Sequence, residues 1–491
     1  MEMSEKAAYW KEKTAYWKNL TEKQRYWNKI IQWDRNYYLK IRYAMEEWHP
    51  LPIGGTEGPY LIDKDGQKIL DFLSGLISVN VGQRHPKVIE QIKKALDEYS
   101  YVWEVFTTPY KAEAAKLIIE DILGPDNWAG RIRFVNSGSE ANEEALILAK
   151  LYTNRPFIIT RAMSYHGWTE GAGACSRIPA WRGTITSPKT KERRVVPTFP
   201  AGGYFVVPPP FCYRCPFGHE YPDCKVDGRV ACISATEDLI LSLGPDNVAA
   251  IITEIICGGA LIISPPEYLQ ELRKFTREHG ILWIDDEVMT GFGRTGKWFA
   301  YQHYGVTPDI MTMAKGISSC HLPAAGVVVS KDLAEFFEKY RWWHAVTFGA
   351  HPVCMAAVVA NLKVMIEEKL PERAAEMGKY MEPKLKELEE RHKCVGQVSG
   401  MGLFWGIEIV RNKKTKEPFI KEDRYFTGAG DINNYPINKV LAHCYFGKNV
   451  LVSGFVPNGI RIGPALTITK EEIDKGIEAL DYALSVIDSM C

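Results

Sequence analysis

Residues 281–288 read ILWIDDEV, an apolar run that predicts a buried strand and closes with three acidic residues at 285–287. The next such run, residues 310–316 with the sequence IMTMAKG, carries Lys315 at the equivalent point. Since α/β proteins place their ligands at the carboxyl ends of the strands, Asp286 and Lys315 are expected at one sheet edge. A lysine there with a lowered pKa is a nucleophile for Schiff-base chemistry, and a plain ion pair between aspartate and lysine is the alternative.

Short apolar segments alternate with helical patterns on both sides of this stretch, between about residues 100 and 350. The alternation predicts βα units and a mainly parallel sheet, and therefore an α/β protein. The apolar segments are 132–135, 157–160, 249–256, 281–285, 310–313 and 326–329, and the first two enclose a helical pattern at 140–152.

The chain is expected to divide into an arm, a large domain and a smaller α+β domain that is split in sequence. The arm carries aromatic pairs on one helical face, expected to dock on the body or on a partner subunit; a tryptophan that faces substrate is the alternative. The pairs are Tyr9-Trp10, Tyr16-Trp17 and Tyr26-Trp27. The predicted boundaries are 1–50 for the arm, 51–105 and 351–491 for the two parts of the smaller domain, and 106–350 for the large domain with a cysteine-containing insert at 205–235.

The composition is that of an ordinary globular protein. Apolar residues make up 46% and charged residues 24% of the 491 residues, which excludes disordered and fibrous classes. Sixty basic and sixty acidic residues give a formal net charge of zero, so neither nucleic acid nor a membrane is expected as a partner. Without a secretory signal or a long uninterrupted apolar run, a cytoplasmic protein is expected, and its 11 cysteines argue against a disulfide scaffold.

The turn Ser137-Gly138-Ser139 follows the apolar segment 132–135 and opens the helical pattern at 140–152. Backbone N–H groups at a helix start, together with the positive end of the helix dipole, bind phosphate. A phosphate site is therefore expected at this turn, and a helix N-cap without a ligand is the alternative.

Six motifs follow one another along the chain: Ser137-Gly138-Ser139-Glu140-Ala141; Tyr165-His166-Gly167; Glu254; Asp286-Glu287-Val288 with TGFGRTG at 290–296; Ala314-Lys315-Gly316; and Thr347 with His351-Pro352. Together they resemble the class III aminotransferases, which are pyridoxal 5'-phosphate (PLP) enzymes of fold type I. The resemblance covers nearly the whole chain after the aromatic arm. It implies a large PLP-binding domain with a mainly parallel seven-stranded sheet.

The resemblance implies two catalytic residues. Lys315 binds PLP covalently and then moves the proton, while Asp286 pairs with the pyridinium nitrogen. A buried carboxylate favours the protonated ring, which accepts electrons from the substrate carbon. A homodimer with shared sites is implied as well, because Thr347 is expected to reach the phosphate of the neighbouring subunit. The other implied cofactor-binding residues are Ser137, Gly138, Ser139, Tyr165, His166, Glu254 and Val288.

Five residues are candidates for substrate binding. Arg461 matches the family's arginine for the carboxylate of a 2-oxo acid, which a guanidinium fork can bind through two hydrogen bonds. Ile77 stands where amine-specific members often carry tryptophan, which argues against a pocket for bulky aryl amines. Arg182 or Arg161, together with Trp48, is predicted to select a donor with an acidic group.

The expected activity is transfer of the terminal amine of an ω-amino acid or aminosulfonate, such as β-alanine or taurine, to 2-oxoglutarate or pyruvate by a ping-pong mechanism. A general amine:pyruvate transaminase and a PLP aminomutase or epimerase of the same fold are the alternatives. A zinc-binding scaffold with a vestigial PLP site is a remote alternative.

The insert resembles a segment of the taurine and β-alanine branch and contains Cys212, Cys215, Cys224 and Cys232. The spacing Cys212-x-x-Cys215 is found in zinc knuckles, but Cys224 and Cys232 are not paired in that way. Reduced, packed cysteines are therefore expected, with a structural zinc site as the alternative.

Overall fold

The computed structural model describes residues 21–41, 48, 50–178, 184–186, 190, 193–195, 202–226, 228–259, 261–420, 436–456 and 458–491. The strands are β1 Ile53–Glu57, β2 Tyr60–Asp63, β3 Lys68–Asp71, β4 Ala129–Val135, β5 Phe157–Arg161, β6 Thr184–Thr186, β7 Arg193–Val195, β8 Tyr204–Val207, β9 Lys225–Val226, β10 Arg229–Val230, β11 Val248–Thr253, β12 Ile256–Cys257, β13 Ile262–Ile263, β14 Leu282–Asp286, β15 Ile310–Met313, β16 Ala325–Ser330, β17 Val395–Met401, β18 Phe404–Ile409, β19 Val450–Leu451, β20 Ser453–Val456 and β21 Gly459–Ile462.

The α-helices are α1 Glu22–Tyr37, α2 Ser74–Ile77, α3 Pro86–Glu98, α4 Pro109–Lys116, α5 Gly138–Thr153, α6 Glu170–Cys175, α7 Ala231–Leu243, α8 Pro266–Glu278, α9 Lys331–Glu338, α10 Pro352–Glu367, α11 Leu370–Arg391, α12 Pro436–Lys448 and α13 Lys470–Asp488. A π-helical turn, Leu117–Ile122, extends α4. Short 3₁₀ turns lie at Gly124–Asp126, Cys212–Arg214, Pro245–Asn247, Ala300–His303 and Lys315–Ile317.

A seven-stranded sheet forms the centre of the molecule, in the order β4-β16-β15-β14-β11-β5-β8. Every pair from β15 to β8 is parallel, and β16 alone runs antiparallel to its two neighbours, β15 and β4. All residues of β11 and β14 are buried, as expected where helices cover both faces of a parallel sheet. The predicted α/β class and the mainly parallel seven-stranded sheet are confirmed.

The helix α5 begins where the sequence predicted a helix start. The Ser137 side chain accepts a hydrogen bond from the Glu140 N–H, and the Glu140 carboxylate accepts one from the Ser137 N–H. This reciprocal capping box fixes where the chain leaves β4 and becomes helical. The apolar side of α5, with Ala141 and Ala145, is buried against the sheet, so the start of the helix lies at the sheet edge.

Two smaller sheets combine distant parts of the sequence. One has the order β1-β2-β3-β19, in which β19 pairs parallel with β3. The other, β17-β18-β21-β20, is antiparallel throughout. The N-terminal strands therefore share a sheet with a strand that follows residue 449. The domain boundaries given above remain predictions.

Buried Arg294 follows β14 of the large sheet. It hydrogen-bonds to segments that come before and after this sheet in the sequence. Its guanidinium donates to the carbonyl oxygens of Leu403 and Pro464 and, over 2.9 Å, to Asn80 Oδ1. Burial lowers the pKa of Arg294 to about 9. Since its partners are neutral, this arginine holds the segments together through the number of its hydrogen bonds rather than through an ion pair.

The arm is described only from residue 21 onward, and Tyr9-Trp10 and Tyr16-Trp17 lie outside the described residues. Helix α1 starts with a capping box at Thr21. Tyr26 on this helix is exposed, whereas a Cβ placed on Gly54 would lie 3.6 Å from Cζ2 of Trp27, so Trp27 contacts β1. In the described parts of the chain, no helix is both long and apolar enough to cross a lipid bilayer.

Candidate active site

Asp286 ends β14 and is held by three groups. Its Oδ2 accepts a hydrogen bond from Asn142 Nδ2 at 2.8 Å and lies 2.7 Å from Nδ1 of His166. Its Oδ1 accepts from the Val288 N–H at 3.1 Å. These contacts fix a buried carboxylate at the edge of the sheet, as expected from the sequence.

Lys315 follows β15, the strand beside β14, and opens a 3₁₀ turn with a φ of 47°. Burial, and after it the positive charge of Arg461, lowers the pKa of Lys315 to about 8; the charges of Asp286 and Glu254 oppose this shift. An amine with a pKa of about 8 beside a carboxylate is suited to nucleophilic attack and to proton transfer.

The start of α5 lies against the loop after β14. A Cβ placed on Gly138 would lie 3.0 Å from Cγ1 of Val288, so a larger residue at this turn would require Val288 to move. Gly167, with a φ of 132°, lies closer still to Ser139, because a Cβ there would be 2.5 Å from the Ser139 Oγ. The backbone at the helix start is thus packed between two loops, and its N–H groups can bind an anion.

The loop with Tyr165 and His166 is held by buried Glu254. One carboxylate oxygen of Glu254 accepts from the Tyr165 N–H at 2.9 Å, and the other accepts from the Gly258 N–H at 2.7 Å. Burial raises the pKa of Glu254. The Nε2 atom of His166 is buried and has no hydrogen-bond partner among the described residues, so this nitrogen is available to a bound group.

Sequence reasoning missed Asn142. Its Nδ2 donates to Asp286 and to the His166 carbonyl oxygen at 2.7 Å, and its Oδ1 accepts from Thr312 at 2.7 Å. Asn142 therefore orients Asp286 and joins α5 to β15. Its position one helical turn after Gly138, on the face that carries Ala141 and Ala145, was the available signal.

The other acidic residues of the ILWIDDEV stretch are also buried. Glu287 accepts hydrogen bonds from the Thr290 hydroxyl and the Tyr301 N–H, and its pKa is raised to about 7 by burial. Burial, and then the nearby Glu287, raises the pKa of Asp285. Asp285 precedes Asp286 on β14, so its side chain lies on the opposite face of the sheet.

The residues proposed to bind substrate differ in their burial and in their contacts. Arg461 on β21 is buried, and its Nη1 donates to the Gly258 carbonyl oxygen at 2.7 Å, close enough to Lys315 to affect its pKa. Ile77 is buried under the loop after β21, because a Cβ on Gly463 would lie 2.9 Å from its Cγ1. Trp48 is half-buried, with Lys40 Nζ 4.3 Å from its ring centre.

Arg161 lies in the interior rather than facing a ligand. Its guanidinium donates to the carbonyl oxygen of Glu254 and, over 2.9 Å, to the Ser264 Oγ, and it stacks over the Tyr268 ring. We therefore correct the prediction that Arg161 selects the substrate, since these internal hydrogen bonds give it a structural part. Arg182, the other candidate, lies outside the described residues.

Thr347 is exposed on the segment 341–349, which has neither helix nor strand. The Thr347 carbonyl oxygen accepts a hydrogen bond from the Tyr101 hydroxyl at 2.9 Å. The exposed aromatic side chains of this segment and of residues 101–106 are together called the aromatic patch: Tyr101, Trp103, Phe106, Trp343 and Phe348.

The four cysteines of the insert surround one small cavity of about 20 Å³ with an almost wholly apolar lining. Burial raises the pKa of Cys212 to about 11 and that of Cys232 to about 12, so these thiols are protonated. Among the residues that the structure describes, no three histidine, cysteine or acidic side chains are arranged to hold a metal ion.

The residues at this sheet edge offer the chemical groups that PLP requires. The Asp286 carboxylate suits a protonated pyridine nitrogen, and the start of α5 suits a phosphate. Lys315 suits the aldehyde, while the side chains of Val288 and Tyr165 are apolar and aromatic groups for the two ring faces. The residues present therefore fit this cofactor.

Comparison with known proteins identifies the family. A model of the class-III aminotransferases matches residues 43–484. An S-selective transaminase from Bacillus megaterium superposes with a TM-score of 0.90 at 45% identity, over 94% of this chain and 98% of that one. A taurine:2-oxoglutarate aminotransferase from Bifidobacterium kashiwanohense, in complex with PLP and glutamate, gives 0.85 at 30% identity, over 94% and 99% of the two chains.

A leucine/methionine racemase from Thermococcus litoralis is 32% identical over 87% of this chain and 88% of its own length. Relatives of this chain thus include both transaminases and a racemase. With the matched family model and the fold in agreement, the chain belongs to the class-III aminotransferases, and its cofactor is pyridoxal 5'-phosphate.

Proposed function

We propose that the protein is an aminotransferase that moves the amino group of a primary amine to a 2-oxo acid by a ping-pong mechanism. The observation that carries the proposal is the meeting of Lys315, Asp286 and Arg461 in one buried place. Lys315 supplies an amine with a lowered pKa, Asp286 supplies a negative charge, and Arg461 supplies a positive charge. The catalytic and cofactor-binding residues named in the sequence analysis, and Arg461, are proposed in the same roles.

When bound, PLP supplies a ring that takes up negative charge from the substrate carbon. Asp286 would stabilise positive charge on the ring nitrogen, and Asn142 Nδ2 holds this carboxylate in place. Lys315 Nζ would take the proton from the substrate carbon and deliver it to the cofactor, which its pKa of about 8 allows near neutral pH. His166 Nε2, which has no hydrogen-bond partner among the described residues, is proposed to hydrogen-bond the cofactor.

A homodimer with composite sites completes this proposal. The aromatic patch is apolar and exposed, and patches of this kind mark interaction sites. Tyr101 and Phe348 are in edge-to-face contact, with ring centres 6.4 Å apart, on either side of Thr347. Contact between two such patches would carry Thr347 of one subunit towards the phosphate site of the other.

Arg461 is proposed to bind the carboxylate of the 2-oxo acid acceptor. Replacing it with glutamine should raise the KM for the acceptor about tenfold to a hundredfold, since a hydrogen bond between charged groups contributes roughly 1.5–3 kcal/mol. The half-reaction with an amine that lacks a carboxylate should change much less. Single-turnover measurement of each half-reaction makes this comparison.

The matched variant Arg461→Lys keeps the charge but loses the planar fork. It should recover only part of the acceptor affinity. Equal losses in both half-reactions of Arg461→Gln would contradict the assignment to the acceptor.

The donor is proposed to be a neutral primary amine. Two observations support this choice: Ile77 is apolar, and Arg161 is engaged internally. An acidic ω-amine such as taurine or β-alanine is the second candidate, favoured by the cationic Arg461 and by the similarity to the taurine enzyme.

With pyruvate as acceptor, kcat/KM for a neutral alkyl amine should exceed that for taurine and for β-alanine by at least about tenfold, the cost of leaving one charged group without a partner. The measurement is a panel of amines against pyruvate and 2-oxoglutarate. Faster turnover of taurine or β-alanine would favour the second candidate. Inversion of an amino acid without any added oxo acid would instead identify an epimerase.

A further inference from the structure

Arg133 on β4 lies between two carboxylates and a tryptophan. Its Nη2 is 3.0 Å from Oε1 of Glu104, and its Nε is 2.9 Å from Oε1 of Glu144. Its guanidinium carbon lies 4.9 Å from the ring centre of Trp342. Arg133 thus connects β4, the chain between α3 and α4, helix α5 and the segment 341–349.

The same groups hold the segment 341–349 at several points. His344 stacks on Trp342 with ring centres 5.2 Å apart, and its Nδ1 lies 4.0 Å from Oε2 of Glu144. The Val346 N–H donates to Glu104 Oε1 over 3.4 Å. Because no helix or strand orders this segment, its position depends on these side-chain contacts.

Glu144 is the buried member of the group. Only about 2% of its side chain is exposed, compared with 15% for Glu104. It lies on α5, whose first residues form the proposed phosphate site of the same subunit. The segment that carries Thr347 and the subunit's own phosphate-binding helix are therefore fastened to each other through Arg133 and Glu144.

We infer that Arg133 and Glu144 are positioning residues that fix the segment 341–349, and thereby place Thr347 for the cofactor phosphate of the neighbouring subunit. This inference rests on the proposed composite site. The Arg133–Glu144 ion pair would thus help to retain the cofactor, although neither residue is expected to touch it.

The ionisation of Glu144 makes this positioning dependent on pH. Burial raises the pKa of Glu144 to about 7; Arg133 opposes the shift, and the charges of Glu104 and Glu140 add to it. Burial and then Arg133 lower the pKa of His344, the group that faces Glu144 from the segment, so His344 is harder to protonate than an ordinary histidine. Below pH 7 the ion pair with Arg133 is lost, and cofactor retention should fall.

The effect on global stability has the opposite sign. The folded chain keeps a proton on Glu144 up to about pH 7, whereas the unfolded chain releases it near the ordinary value of 4.5. Ionisation of Glu144 therefore lowers the free energy of unfolding as the pH rises between these values. Glu144→Gln should consequently leave Tm at pH 8 unchanged or raise it, which separates positioning from a general contribution to stability.

The experiment measures the rate at which holoenzyme releases PLP after dilution, from pH 6 to 9, for wild type, Glu144→Gln and Thr347→Ala. The matched control is Glu338→Gln, which removes the exposed partner of Arg131 on the same strand. Glu144→Gln should release PLP about tenfold faster at pH 8 and lose the acid-side increase seen in wild type, while Glu338→Gln should behave as wild type. Hydrogen exchange of residues 341–349 should increase in Glu144→Gln alone.

The double variant Glu144→Gln/Thr347→Ala should release PLP no faster than Thr347→Ala, because both changes act through the same contact. Fast release in Thr347→Ala together with unchanged release in Glu144→Gln would overturn this inference and leave the composite site intact. Unchanged release in Thr347→Ala would instead overturn the composite site itself.

Discussion

Lys315→Ala is expected to lower kcat by at least about four orders of magnitude while the protein still folds and still binds PLP. The amine at position 315 is both the covalent anchor and the proton carrier in the proposed reaction, and general acid–base catalysis alone contributes up to about 10⁴-fold. Its pKa of about 8, set mainly by burial, keeps a usable fraction of the amine neutral near pH 8. Steady-state turnover and the absorbance of bound PLP are the two measurements.

The matched control is Lys297→Ala, an exposed lysine that donates to the Gln302 carbonyl oxygen. It should keep nearly full activity. Turnover of Lys315→Ala within tenfold of wild type would contradict the assignment of Lys315 as the catalytic lysine, whether or not PLP is still bound.

Asp286→Ala is expected to lower kcat by about two to four orders of magnitude. Without the carboxylate, a buried positive charge on the ring nitrogen has no partner, a loss of roughly 3–5 kcal/mol when fully felt. Asn142 and His166 would also lose their acceptor, so part of the loss reflects disorder around the ring. Steady-state kinetics with a saturating amine and pyruvate give the effect.

Asp285→Asn is the adjacent control. Asp285 is buried on the opposite face of the strand from Asp286, and burial raises its pKa. Near-normal activity is expected. An inactive Asp285→Asn beside an active Asp286→Ala would show that the strand had been assigned one residue out of register, which reverses the side of every residue on it.

The central sheet and its reactive edge were predictable because the relevant signals are local. An apolar run that ends in a polar residue marks both the strand and the point at which its side chain meets a ligand, as for Asp286 and Lys315. The capping box at Ser137 is likewise encoded by four consecutive residues, 137–140. These features do not depend on knowing how distant elements pack.

The remaining features depend on packing between elements. Arg161 ends β5 as Asp286 ends β14, yet its long side chain turns inward to the Glu254 carbonyl oxygen and Ser264. Asn142 bridges a helix and two strands, and neither of these contacts is close in sequence. The proximity of Arg133, Glu144 and His344 similarly arises only once β4, α5 and the segment 341–349 are assembled.

The parallel pairing of β3 with β19 has a consequence for biosynthesis. The Ser74 hydroxyl, just after β3, donates to the Gly463 carbonyl oxygen 389 positions later. At roughly 5–20 residues per second, a ribosome adds that partner about 20–80 seconds after Ser74. Until then β3 keeps an unpaired edge that can pair with other nascent chains. The sheet that starts first in the sequence is therefore completed only when β19 has been added, and rapid collapse during translation would protect its early strands.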